Sequence, residues 1–132
     1  MNTTAHLTDL QLAIVRILWA RGECTVVQVQ EALLPERRLA QTTVATILSR
    51  LEKRGVVAHR SEGRLFIYRA SVSEGQVRRT MVSELTHLLF DGRPAALISH
   101  LLADRDIRAG DLDEVKRLIA EAEERGIASG AR

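Results

Sequence analysis

Between Ala40 and Arg54 the chain permits one regular structure and gives it an unusual surface. Val44, Ile47, Leu48 and Leu51 fall at i, i+3, i+4 and i+7, so a helix over this stretch buries a single narrow stripe. Its other faces carry Gln41, Thr42, Thr43, Ala45, Thr46, Ser49, Arg50, Lys53 and Arg54. Hydroxyl and β-branched residues cost helix propensity, and no i,i+4 Glu–Lys pairing offsets them, so a merely solvated face would not be built this way. Short hydroxyl and amide side chains let a helix approach base edges, while Arg and Lys at its far end reach phosphates. Gln41 either bonds adenine in a groove or serves only as a first-turn residue. Gly55 ends the helix as a left-handed cap.

The flanking segments supply a frame for that helix. Thr8 and Gln11 form a capping pair, with Leu7 placed to staple onto Leu12, and open a helix from about Asp9 to Ala20. Leu10, Ile14, Val15, Leu18 and Trp19 line its apolar face, and Gly22 ends it. Thr25 and Gln28 repeat the device for a second helix through Val26, Val29 and Leu33, which Pro35 stops. After the third helix, Val56–Arg60 and Leu65–Arg69 are β-prone runs around Ser61-Glu62-Gly63-Arg64, a hairpin with glycine in its turn. Three helices and a basic-tipped hairpin, in this order, predict a winged helix-turn-helix, with Arg60 and Arg64 where a wing meets DNA backbone or minor groove.

Ser71-Val72-Ser73 marks a change of character. Ser73 and Gln76 cap a long helix to about Phe90, striped by Val77, Met81, Leu85, Leu88 and Leu89. Asp91-Gly92-Arg93-Pro94 breaks it. A second helix carries Leu97, Ile98, Leu101 and Leu102, and Asp111 caps a third with Leu112, Val115, Leu118, Ile119 and Ala122. About sixty residues cannot bury three such stripes alone, so the part is expected to pair with a copy of itself. The expected architecture is mostly α with a small β-hairpin. Residues 1–70 form the DNA-binding domain, residues 71–125 a three-helix dimerisation domain using Val77, Met81, Leu85, Leu88, Leu97, Leu101, Leu112, Val115 and Ile119, and residues 126–132 a disordered tail.

Charge distribution agrees with that division. The net charge of the 132 residues is only +2, yet Arg37 to Arg69 holds eight basic residues against two acidic ones, a net +6. Asp104 to Glu124 reverses this, with eight acidic against four basic, a net −4. One part is suited to a polyanion and the other is not. Disorder over most of the chain is excluded by 45% hydrophobic content at low net charge. No apolar run reaches the ~18 residues of a membrane span, and the start lacks the parts of a signal peptide, so a cytoplasmic protein is expected. With one Trp, one Tyr and two Phe, base-stacking platforms are disfavoured.

Catalysis would have to use Cys24, His59, His87, His100 or a carboxylate pair, and none has a catalytic spacing. Cys24 reads as a buried structural thiol in a β-prone link. His87 and His100 lie near packing faces, so neither a metal site nor a cofactor is expected. Arg37 and Arg38, in the turn before the third helix, either touch DNA backbone or form an exposed loop pair. A regulator binding double-stranded DNA is expected. The alternative is a protein-interaction adaptor that keeps the winged fold without binding DNA, but the Arg50-Lys53-Arg54 end argues against it.

Leu7 to Trp19, Thr42 to Gly55 and Phe90-Asp91-Gly92 resemble the penicillinase-repressor family of bacterial regulators, the BlaI/MecI group with its copper-responsive relatives. Thr42-Thr43-Val44-Ala45-Thr46-Ile47-Leu48-Ser49-Arg50-Leu51-Glu52-Lys53-Arg54-Gly55, close to the family's "TTVxTxLxRLxKKG", is the most specific stretch. The resemblance implies a homodimeric repressor on an inverted-repeat operator with its third helix in the major groove, and the routes open for relieving repression are a signal-activated protease acting on the C-terminal part, a small ligand or oxidation of Cys24. It implies Thr42, Thr43 and Thr46 facing the groove, Arg50 and Lys53 on phosphates, and Arg64 as the wing contact. β-Lactam-responsive members are cut at an Asn-Phe bond, whereas the corresponding Ser99-His100-Leu101-Leu102 contains none. Copper-responsive members carry a C-terminal cysteine hook, whereas no cysteine follows Cys24.

Overall fold

The computed structural model describes residues 6–104 and 106–126. The elements, in chain order, are α1 (Asp9–Arg21), β1 (Cys24–Thr25), α2 (Val26–Leu33), α3 (Gln41–Lys53), β2 (Val57–Glu62), β3 (Leu65–Ala70), α4 (Glu74–Phe90), α5 (Pro94–Ala103) and α6 (Ala109–Glu124). Mostly helical structure with a small antiparallel sheet is the architecture expected. The tail expected to be disordered falls, from residue 127 on, outside the described residues.

Local signals explain most element ends. At α1 the Thr8 hydroxyl accepts from the Gln11 amide at 3.2 Å, and the Gln11 side chain accepts from the Thr8 amide at 3.0 Å. Thr25 with Gln28 and Ser73 with Gln76 repeat this exchange, so each satisfies two amides that a helix start leaves over. After α3, Gly55 takes φ +81°. Its amide donates to Glu52 O and the Val56 amide to Leu51 O, both at 2.9 Å, which closes the helix with a Schellman motif. Asp111 differs from expectation. The helix starts two residues earlier, and Asp111 sits in its first turn, reaching back to accept from the Arg108 amide at 3.0 Å.

Two compact units divide the chain, residues 1–85 and 86–132. In the first, Ile14, Val15 and Leu18 of α1, Val29 and Leu33 of α2, and Val44, Leu48 and Leu51 of α3 meet Leu7, Cys24, Val56, Val57 and Tyr68 in one core. Each large side chain withdrawn from water there contributes about 1.5–3 kcal/mol. The sheet order is β1-β3-β2, with Cys24 opposite Tyr68, Thr25 opposite Ile67, and Arg60 opposite Ile67 on the other side. The two-residue strand β1 had read only as a β-prone link.

The division at residue 85 falls inside α4, later than the expected change at residue 70. Val77 is 2% exposed in the first unit's core, with Val72 and Met81 packed against it. The Trp19 indole N–H donates to Val72 O at 2.8 Å. These contacts carry the first core beyond the hairpin. In the second unit, Asp91 and Gly92 take φ +52° and +74°, breaking the helix where the sequence predicts. No apolar side chain among that unit's described residues is buried. Leu88 is 82% exposed.

Candidate nucleic-acid interface

Helix α3 buries Val44, Leu48 and Leu51, with Ile47 half-buried at the edge of the stripe. Because residues advance by 3.6 per turn, Thr42, Thr46, Ser49 and Lys53 then fall within a strip about 60° wide on the far side, with Thr43 and Arg50 beside it. All six are exposed. The Thr46 hydroxyl donates to Thr42 O at 2.9 Å, so its methyl and its oxygen lone pairs are what the surface presents. Gln41 is exposed at the helix start.

The basic side chains expected here divide by what they touch. Among the described residues, Arg50, Lys53 and Arg64 meet no carboxylate and are exposed. Arg54 is engaged: its guanidinium donates to the Gln11 side-chain oxygen at 3.3 Å and to the His6 carbonyl, tying the end of α3 to the start of α1. Arg60 is engaged more fully. It donates through Nε and Nη2 to the two Glu23 oxygens, both at 3.1 Å, and through Nη1 to Glu62 at 3.3 Å. These hydrogen bonds push the Arg60 guanidinium further up and hold the Glu23 carboxyl below its ordinary range. Arg37 bonds Asp9 at 2.9 Å, whereas Arg38 is exposed.

Glu23 had no signal in the sequence, because its partner lies 37 residues away and only the sheet order, with β1 and β2 on either side of β3, brings them together. The link between α3 and the hairpin is shorter in sequence, seven residues, but it too depends on how two elements pack. His59 Nδ1 lies 2.8 Å from both Glu52 oxygens, and its ring stacks on Phe66 with centroids 4.0 Å apart. His59 thus links the hairpin to α3 through Glu52 and packs within the hairpin on Phe66. Cys24 is buried, and burial pushes its thiol up, as suits a structural residue. No group of three or more metal-ligating side chains occurs among the described residues.

The residues expected on a dimer face are divided. Val77 and Met81 pack in the first unit's core, Leu97 and Val115 are half-buried, and Leu85, Leu88, Leu101, Leu112 and Ile119 are exposed.

Comparison with known proteins gives concordant matches. The family model described as Penicillinase repressor matches residues 7–121. The transcriptional regulator BlaI of Mycobacterium tuberculosis (strain ATCC 25618 / H37Rv) is 34% identical over 125 residues, covering 93% of this chain and 89% of that protein. The penicillinase repressor of Bacillus licheniformis is 20% identical over 125 residues, covering 95% and 98%. Among solved structures, the solution structure of the DNA binding domain of the repressor BlaI is similar with a TM-score of 0.50 and 27% identity, covering 56% of this chain and 90% of that one.

Proposed function

The chain belongs to the penicillinase repressor family and is a DNA-binding transcriptional regulator, and from that premise we propose that it acts as a homodimer on an inverted-repeat operator. The observation that carries this reading is the exposed strip Thr42, Thr46, Ser49 and Lys53 on α3, with the exposed cations Arg50 and Arg64, which meet no carboxylate among the described residues. In it, α3 enters the major groove. Thr42, Thr43 and Thr46 approach base edges, and Gln41 lies at the leading end of the helix. Arg50 and Lys53 hold phosphates, and Arg64 reaches the backbone or minor groove from the wing. Arg54 and Arg60 position the elements first and meet DNA only secondarily.

The dimer is drawn from residues 71–125. Leu85, Leu88, Leu101, Leu112 and Ile119 offer the apolar surface that a second copy would cover, and a two-fold protein matches an inverted repeat. We place the protein in the cytoplasm with its operator and assign it no catalytic role. No helix among the described residues is long and apolar enough to cross a membrane. Induction proceeds by loss of the dimer, through a signal-activated protease or a ligand, since one half-site alone holds a subunit weakly. A gel shift with the protein's own promoter region tests the reading: a salt-sensitive shift that resists random competitor DNA supports it. Absence of any shift would favour the adaptor.

A further inference from the structure

The wing carries an apolar surface that a purely electrostatic contact with DNA does not require. Leu65 is 55% exposed and Phe66 48%, although both stand in a strand, and Val27 in the first turn of α2 is 38% exposed. These three line one open cleft, together with Thr25, Val26, Gln41 and Arg64. The fold makes the gap because β1 ends at Thr25, opposite Ile67. Beyond that point Leu65 and Phe66 pair only with Glu62 and Ser61 of β2, which leaves the other edge of β3 open toward the start of α2. Clustered exposed apolar side chains mark a contact surface.

We propose that this cleft seats one strand of DNA backbone, with a deoxyribose against Val27, Leu65 and Phe66 and the adjoining phosphate at Arg64; the proposal rests on the DNA-binding reading above. Three features select this occupant. Gln41 and Arg64 belong both to the cleft and to the α3 and wing surface, so the two are continuous. No acidic side chain lines the cleft, and Arg64 meets no carboxylate among the described residues, which suits an anion. The open edge is two residues long, too short to pair with a peptide strand of ordinary length. Deoxyribose is the apolar part of the backbone, and contacts to sugar and phosphate fix register without reading sequence. Leu65 and Val27 are therefore positioning residues that set how deeply α3 enters the groove.

The test uses the full chain and a labelled random-sequence duplex, with affinity followed across a salt series. Val27→Ala and Leu65→Ala, on different elements, should each weaken binding about three- to tenfold through lost apolar contact. The slope of log affinity on log salt should stay that of the parent, because no counterion is involved. Arg64→Ala should lower that slope by about one. In the unaltered chain, duplex should slow hydrogen exchange at the Leu65 and Phe66 amides, a readout independent of any variant's folding. Parent-like affinity in both alanine variants, or unchanged exchange at those amides, overturns the proposal while the DNA reading stands. A parent chain that does not bind duplex at all sinks the DNA reading itself.

Discussion

At the level of single residues, cations of equal formal charge do different work. Arg50 is exposed and meets no carboxylate among the described residues, so Arg50→Ala should weaken binding to operator and random DNA alike and reduce the salt slope by about one. Arg60 already shares its charge with Glu23 and Glu62, and Arg60→Ala should change that slope less than Arg50→Ala does in the same titration. Thr46→Ala should instead reduce the preference for operator over random DNA by about 1–3 kcal/mol, read from competition binding. The Glu23 link also sets a pH dependence. Arg60 depresses the folded-state pKa of Glu23, so the strut's contribution is complete above the ordinary glutamate value near 4.5 and is lost as pH falls through the lowered one. The protection of β2 amides, measured against their intrinsic exchange rates, should fall in that acid range in the parent and not in Glu23→Gln.

The element that joins two roles is α4. Its first half serves the winged-helix core through Val77 and Met81, while Leu85, Leu88 and Leu89 further along are exposed. A fragment ending at Ala70 therefore loses Val72, Val77 and Met81 from its core, and a fragment ending at Leu85 keeps them. Thermal unfolding should show the shorter fragment clearly less stable, and Val77→Ala in the full chain should cost on the order of 2 kcal/mol. The helical stripe of α4 was legible in the sequence, since the spacing of its apolar residues is local. Which part of the stripe met the first core was not, because that depends on Trp19 and the core reached through Val72, more than fifty residues away. Caps were legible for the same local reason, as Thr8 with Gln11 and Gly55 illustrate.

For the whole molecule the unburied second unit decides the expectation. Its helices expose Leu88, Leu101 and Ile119 in a single chain, and in the proposed dimer a second copy covers them with the same surface. Leu101→Glu or Ile119→Glu should yield a monomer by sedimentation with its winged helix intact, and operator affinity should fall steeply because the linked second half-site contact is gone. A variant that remains dimeric would place the interface elsewhere. The same mechanism predicts that induction in cells converts the chain to fragments or monomers, which mass measurement before and after induction would detect.

The sequence by itself determined what depends on neighbours within a few residues: three capped helices and a hairpin, the narrow core stripe of α3, and the hydroxyl-rich strip opposite it. Side-chain chemistry and helical period suffice for these, and they place Thr42, Thr46 and Arg50 off the buried stripe, where the structure finds them exposed. Only the tertiary structure decided which cations meet a partner among the described residues. Arg54 and Arg60 carry the same charge as Arg50, but their partners come from α1, the β1 region and the wing. It alone placed His59 between Glu52 and Phe66 and left Leu65 open beside Val27. Periodicity states which face of an element is apolar, whereas the identity of what lies across from that face is set by packing between separate elements, whether 7 residues apart, as His59 and Glu52 are, or 37, as Arg60 and Glu23 are.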